Sequence, residues 1–274
     1  MSWPPGPALL FCPADRPERF AKAAAVADVV LLDLEDGVAA ADKRAAREAL
    51  RATPLDPART VVRVNPAGTP EFRLDLETLA ETDYTTVMLA KTESAEQVAL
   101  LAAYDVVALC ETPAGVLAAA AIAEAQATVA VMWGAEDLIA GLGGRSSRHP
   151  DGAYRDVARH ARASVLLAAG AAGKVAIDAV HLDIADREGL AAEVEDAVSS
   201  GFSATACIHP SQVDVVRTGY RPSEQQLAWA RRVLAAAASE RGVFSLDGQM
   251  IDAPVLRHAD AVVARSTGAP AAHT

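Results

Sequence analysis

Eight short apolar runs, separated by longer alanine-rich stretches, constrain this chain more than any other feature. They are Ala8–Cys12, Val29–Leu34, Thr60–Val64, Thr85–Leu89, Val106–Cys110, Thr128–Trp133, Val175–Val180 and Ala204–Ile208. None alternates strictly between apolar and polar residues. Continuous apolar runs of this length are the mark of strands covered on both faces, as in parallel sheets. The intervening segments carry helical signals. Arg16–Ala27 and Asp42–Ala52 have apolar positions at helical spacing, Ser94 is followed three residues on by Gln97, Pro113 sits at a first helical turn, and Tyr154–Ala169 ends near Gly170. Eight strand–helix units in order predict an α/β fold, a closed (β/α)8 TIM barrel, for which about 250 residues suffice. The rival, an open doubly wound sheet, is weakened because no G-x-G-x-x-G follows the first run.

After the eighth run the pattern changes. Ser223–Ser239 reads as a helix, Val243–Asp252 as a turn-centred stretch around Asp247-Gly248, and a short helix follows to about Arg265. The expected organisation is a barrel over 1–220, a C-terminal helical and hairpin extension over 221–265, and a flexible tail over 266–274.

Asp and Glu number 36 against 25 Lys and Arg, a net charge of −11 that disfavours non-specific contact with nucleic-acid backbones. Cys12, Cys110 and Cys207 are distant and unpaired by motif, which argues against a disulfide framework or zinc site and fits a reducing, cytoplasmic setting. No apolar stretch is long enough for a membrane span, and the first residues do not resemble a signal peptide.

In such barrels chemistry belongs at the C-terminal ends of the strands. Ionisable groups follow most of the runs: Asp15 and Arg16; Asp33, Glu35 and Asp36; Arg63 and Asn65; Lys91 and Glu93; Glu111; Glu136 and Asp137; Asp178, His181 and Asp183; His209. Glu111 and Asp137 are one strand–helix unit apart, so they should face each other from neighbouring strands. Two such carboxylates repel unless a proton or cation lies between them, and a site of few carboxylates completed by water and substrate suits Mg2+. The alternative is that each caps a helix or pairs with Lys or Arg. Arg63 ends an apolar strand and needs a partner. That partner is a substrate carboxylate or developing oxyanion, or a permanent salt bridge to Glu35 or Asp36. Glu35 and Asp36 read as an outer layer that holds metal-bound water or orients Arg63. Asp33 reads as part of the same cluster or of a solvated loop turning at Gly37. Arg16, Arg19 and Lys22 form a local basic patch suited to phosphates, or an ordinary solvated helix face. His181 and His209 read as structural, and the cysteines as packing residues.

Several strings carry a resemblance: Leu10-Phe11-Cys12-Pro13-Ala14-Asp15-Arg16-Pro17-Glu18-Arg19-Phe20, Leu32-Asp33-Leu34-Glu35-Asp36-Gly37-Val38, Arg63-Val64-Asn65-Pro66, Lys91-Thr92-Glu93, Glu111-Thr112, Trp133-Gly134-Ala135-Glu136-Asp137-Leu138, Ile208-His209-Pro210-Ser211-Gln212 and Gln249-Met250-Ile251-Asp252-Ala253-Pro254. With them the sequence resembles the citrate lyase beta-subunit-like proteins, relatives of the malyl-CoA and citramalyl-CoA lyases. The resemblance implies a barrel that assembles as a homotrimer and Mg2+ held by Glu111 and Asp137. It implies substrate contacts from Arg63, with Glu111, Gly134 and Ala135 beside it; the basic patch of Arg16, Arg19 and Lys22 is the candidate for the CoA phosphates, against an ordinary solvated helix face. It also implies that Asp252 reaches a neighbouring subunit's active site as acid or base; the residues alone would make Asp252 a helix cap. The implied activity is Mg2+-dependent retro-Claisen cleavage of a 3-hydroxyacyl-CoA of the citramalyl, malyl or hydroxymethylglutaryl type to acetyl-CoA and an oxo acid. Two alternatives stay open: a citrate lyase beta subunit acting on citryl-acyl carrier protein, and a non-catalytic protein that binds an oxo acid or CoA.

Overall fold

In the computed structural model, which describes residues 4–239 and 242–267, eight parallel strands close into a barrel in sequence order. They are β1 (Ala8–Pro13), β2 (Val29–Asp33), β3 (Thr60–Val64), β4 (Thr86–Leu89), β5 (Asp105–Cys110), β6 (Thr128–Trp133), β7 (Val175–Asp178) and β8 (Ala204–Cys207), with β8 pairing back onto β1. The expected barrel is therefore present and the open sheet is not.

Around it lie α1 (Phe20–Val26), α2 (Lys43–Ala52), α3 (Pro70–Leu79), α4 (Ala95–Ala99), α5 (Pro113–Leu117), α6 (Ala119–Glu124), α7 (Ala135–Gly141), α8 (Asp156–Ala171), α9 (Arg187–Ser200) and α10 (Pro210–Tyr220). Several of their starts follow the capping chemistry in the sequence. Ser94 and Thr112 accept from the backbone amides of Gln97 and Gly115, and Pro113 takes the first turn of α5, where no amide hydrogen is needed. The segment expected as one helix from Arg16 begins with a tighter turn, Pro17–Arg19, before α1. β7 stops at Asp178, two residues short of the expected run.

Two apolar clusters divide the strand residues by parity. One consists of strand residues alone, including Leu9, Val29, Leu31, Val61, Met88, Val107, Leu109, Ala130, Met132 and Ile177, and it fills the barrel. The other interleaves the alternate positions, such as Val30, Leu32, Val62, Ala108, Val131 and Trp133, with helix residues such as Phe20, Leu50, Ile122 and Val165. This double burial is why the runs do not alternate in polarity. The parity also determines what the barrel mouth displays. Two residues beyond Leu31, Val61, Leu109 and Met132 on the inward rows come Asp33, Arg63, Glu111 and Gly134.

Beyond α10, α11 (Glu224–Ala237) packs on α12 (Ala253–Thr267), with a hairpin of β9 (Phe244–Leu246) and β10 (Gln249–Ile251) between them. Ser223 caps α11 in a reciprocal capping box with Gln226. Asp247 and Gly248 both have positive φ, 53° and 80°, as a two-residue hairpin turn requires. This extension has its own small core of Ala230, Val233, Ile251, Ala259 and Val262. α12 runs to Thr267, so Ser266 and Thr267 of the expected tail are helical; residues 268–274 lie outside the described residues.

Candidate active site at the barrel mouth

Asp33 and Arg63 stand side by side on the inward rows as register partners across β2 and β3. They form a bidentate pair: Nε of Arg63 donates to Asp33 Oδ1 at 2.7 Å and Nη2 to Oδ2 at 2.6 Å. Its third nitrogen, Nη1, lies 3.1 Å from Glu35 Oε2. Burial works against the Arg63 charge, but Asp33 and Glu35 outweigh it and hold the group firmly protonated. The guanidinium also lies over the Phe11 ring, 4.8 Å from its centroid. The expected salt bridge to Glu35 is present, but Asp33 is the main partner, and Asp36 pairs with Lys91. Nor is Asp33 in a solvated loop. It is 2 % exposed and also accepts from the amides of Glu35 and Gly37, so it is the pivot of the β2 turn. The Arg63 fork leaves the second N–H of each terminal nitrogen free for a ligand.

Glu111, at the end of β5, is 4 % exposed and accepts one hydrogen bond, from the Lys91 amide at 3.1 Å. Burial, and then the charge of Asp137, push its carboxyl up to about 8. The β5–β6 register pairs Cys110 with Trp133 and so sets Glu111 beside Gly134. A Cβ on Gly134 would stand 2.8 Å from both Cβ and Oε2 of Glu111, so only glycine allows this approach. Ala135, buried, opens α7, and Asp137 lies in the first turn of that helix, half-exposed.

Lys91 joins these groups. Its Nζ contacts Glu35, Asp36 at 2.8 Å and Asp137 at 3.3 Å. Burial raises the Glu35 carboxyl despite Arg63 and Lys91, while at Asp36 the Lys91 contact overcomes burial and holds the carboxyl down. Asp33 belongs to the acidic cluster the sequence marks, and Lys91, noted only as a group after the fourth run, turns out to link that cluster to Glu111 and Asp137. Asp33 had a signal, its inward parity; Lys91 had only its position after a strand.

Among the described residues no group of three or more His, Cys, Asp or Glu side chains could hold a metal by itself. Glu111 and Asp137, near enough for the charge of one to act on the other, nevertheless offer hard oxygen donors, and Mg2+ is usually bound by few carboxylates with water and ligand completing the shell. The Lys91 ammonium, 3.3 Å from Asp137 Oδ1 while the Lys91 amide donates to Glu111 Oε1, already sets positive charge beside this pair, as a bound cation would.

The other expected residues lie apart from this cluster. Arg16, Arg19 and Lys22 are exposed on the β1–α1 loop and α1, and the two arginines pair loosely with the neighbouring Asp15 and Glu18, at 3.7 and 3.9 Å. Asp252 accepts from the Val255 amide at 3.3 Å and caps α12. His209 caps α10, and His181 pairs with Glu193 at 3.0 Å. Asp178 points outward to Trp133 Nε1 at 2.6 Å and to Arg162. The three thiols are buried, which pushes Cys12 to about 11 and Cys110 and Cys207 to about 12, so none is a ready nucleophile.

Comparison with known proteins places this arrangement in context. Residues 8–210 match the family model described as HpcH/HpaI aldolase/citrate lyase. A citrate lyase subunit beta-like protein of Mycobacterium tuberculosis is 66% identical over 261 residues, covering 95% of this chain and 96% of that protein. Human mitochondrial citramalyl-CoA lyase is 31% identical, covering 96% of this chain and 86% of the enzyme. The crystal structure of the protein CitE from M. tuberculosis in complex with magnesium, acetoacetate and coenzyme A superposes with a TM-score of 0.92 at 66% identity, over 96% of this chain and 98% of that one. No helix among the described residues is long and apolar enough to cross a membrane.

Proposed function

The chain belongs to the HpcH/HpaI aldolase/citrate lyase family, and from that premise we propose that it is a Mg2+-dependent carbon–carbon lyase that cleaves a 3-hydroxyacyl-CoA to acetyl-CoA and an oxo acid. The observation that carries this reading is the cluster at the barrel mouth in which Lys91 contacts Glu111, Glu35 and Asp137 and Glu35 in turn holds Arg63. The complex of CitE with magnesium, acetoacetate and coenzyme A, and the name of the human relative, support both the metal and the substrate class.

Glu111 and Asp137 would hold the metal, which when bound supplies Lewis-acid polarisation of the oxygen that becomes the new carbonyl. Arg63 is locked by Asp33 and Glu35, so its free N–H pair is aimed without further loss of side-chain entropy and binds the substrate carboxylate or oxo oxygen. Gly134, whose missing side chain lets Glu111 pack against the backbone, and Ala135, which opens α7, would stand beside the bound substrate. A base removes the hydroxyl proton, the bond between the hydroxyl-bearing carbon and the thioester's α-carbon breaks, and its electron pair forms the thioester enolate. Protonation of that carbon gives acetyl-CoA. Asp252 of a neighbouring copy serves as the acid or base in a homotrimer, and the independent core of the extension suits it to that delivery. Arg16, Arg19 and Lys22, exposed around the β1–α1 loop, serve the CoA phosphates.

Incubation with citramalyl-, malyl-, citryl- and hydroxymethylglutaryl-CoA plus Mg2+, with products followed by mass, tests the proposal. Release of acetyl-CoA from at least one is expected. Cleavage confined to citryl-acyl carrier protein would instead assign a citrate lyase beta role, and binding without cleavage of any thioester would make the protein a non-catalytic binder.

A further inference from the structure

Lys91 connects to both carboxylates of the site by different atoms. Its backbone amide donates to Glu111 Oε1, and its ammonium lies 3.3 Å from Asp137 Oδ1 while contacting Glu35 and Asp36. To do both it adopts φ 50°, a left-handed conformation that a lysine takes only when its surroundings impose it. Those surroundings are visible on both sides. The Ala90 amide is tied to Val64, the Thr92 amide to the Leu109 carbonyl at 2.9 Å, and the Thr92 hydroxyl to Leu89 at 2.7 Å. The chain is therefore pinned before and after Lys91, and the strained residue turns its amide inward while its side chain reaches across the mouth.

We propose that Lys91 is a positioning residue for the metal site, a tethered cation that gathers Asp137 to Glu35 and Asp36 and yields Asp137 when a divalent ion binds; this rests on Glu111 and Asp137 being the metal carboxylates. Two cations cannot share one carboxylate without repulsion. Lys91 keeps two carboxylate partners after surrendering the third, so the exchange leaves no charge unpaired: Asp137 passes to the metal, and the ammonium stays on Glu35 and Asp36. The amide of Lys91 is unaffected by that exchange and continues to orient Glu111. Lys91 thus acts through the carboxylates and need not touch the substrate.

The test is calorimetric titration of Mg2+ into the full chain. Lys91→Asn removes the cation, keeps the amide and tolerates the left-handed backbone. Its Mg2+ dissociation constant should fall about tenfold, the scale of one partly screened charge contact, while turnover drops because Glu35 and Asp36 lose their partner. Lys91→Arg restores the charge and should return the dissociation constant to within about threefold of the parent. An unchanged or weakened Mg2+ affinity in Lys91→Asn, or an arginine variant that behaves like the asparagine one, overturns the inference. Glu111→Gln in the same titration separates the two readings. Binding that survives it overturns the metal assignment and the Lys91 role together; binding lost there but unaltered in Lys91→Asn overturns the Lys91 role alone. If Lys91→Asn does not fold, Lys91→Gly, which also relieves the backbone, carries the same expectation.

Discussion

Replacing Gly134 by alanine adds one methyl group at the point where two strands bring a backbone against the Glu111 side chain. The new Cβ would lie 2.8 Å from the Glu111 Cβ, whereas unstrained carbons approach to about 3.5–4.0 Å. The deficit is therefore roughly 0.7–1.2 Å. A Cβ cannot swing aside as the end of a side chain can. Either β5 and β6 separate locally, or the Glu111 carboxyl, whose Oε2 meets the same methyl at 2.8 Å, leaves the inward row. Overpacking of this kind costs about 1–3 kcal/mol, and at about 2–4 °C per kcal/mol it lowers Tm by roughly 2–12 °C. The effect on function is larger in proportion, since a displacement near 1 Å costs on the order of 100-fold in rate. Gly134→Ala should thus remain folded by circular dichroism, bind Mg2+ at least tenfold more weakly in calorimetry, and cleave its acyl-CoA about 100-fold more slowly. A variant with parental Mg2+ affinity and turnover would refute the argument that Glu111 must pack against a bare backbone to serve the site.

Other consequences can be measured independently. Asp33→Asn strips a buried guanidinium of its main partner, so a loss of about 3–5 kcal/mol in chemical denaturation is expected together with lost turnover; a change below about 1 kcal/mol would show that Glu35 alone holds Arg63. In metal-free protein the Glu111 carboxyl, raised from about 4.5 to about 8, takes up a proton on folding between those values, so this group's contribution to stability falls as pH rises through that window. Asp137→Asn, which removes the neighbouring charge, should flatten that fall; an equally steep profile would remove Asp137 from the cause. Asp252→Asn should keep Mg2+ and substrate binding and lose turnover, and co-assembly with Glu111→Gln chains should restore part of the activity by pairing intact halves from different copies. No recovery in a proven mixed assembly would place Asp252 outside the neighbouring site.

Much of this molecule is legible in its sequence because strands covered on both faces leave uninterrupted apolar runs. The runs through Val29, Val61 and Val107 lie on the strands, and the inward parity that follows puts Arg63 and Glu111 at the mouth. The reading overreached at Val180, where apolar residues continue after the sheet has ended: Asp178 has already turned outward to Trp133 and Arg162. Pairing within the acidic turn was harder to foresee. Asp33, Glu35 and Asp36 are equivalent as charges, and only register decides that Asp33 takes the Arg63 fork. Lys91 is legible only as a group at a strand end; which carboxylates it joins depends on a positive φ that no neighbouring residue type announces. Asp252 reads as the helix cap it forms within its own chain, and a role in another copy's site leaves no local trace.

The central claim is that Glu111 and Asp137 together bind a divalent ion beside Arg63. Anomalous diffraction from a crystal soaked in Mn2+ locates that ion directly. A single strong peak between the two carboxylates, at bonding distance from both, is the predicted result. A peak held by Lys91's other partners, Glu35 and Asp36, or no peak at the barrel mouth in a crystal of active protein, would contradict it.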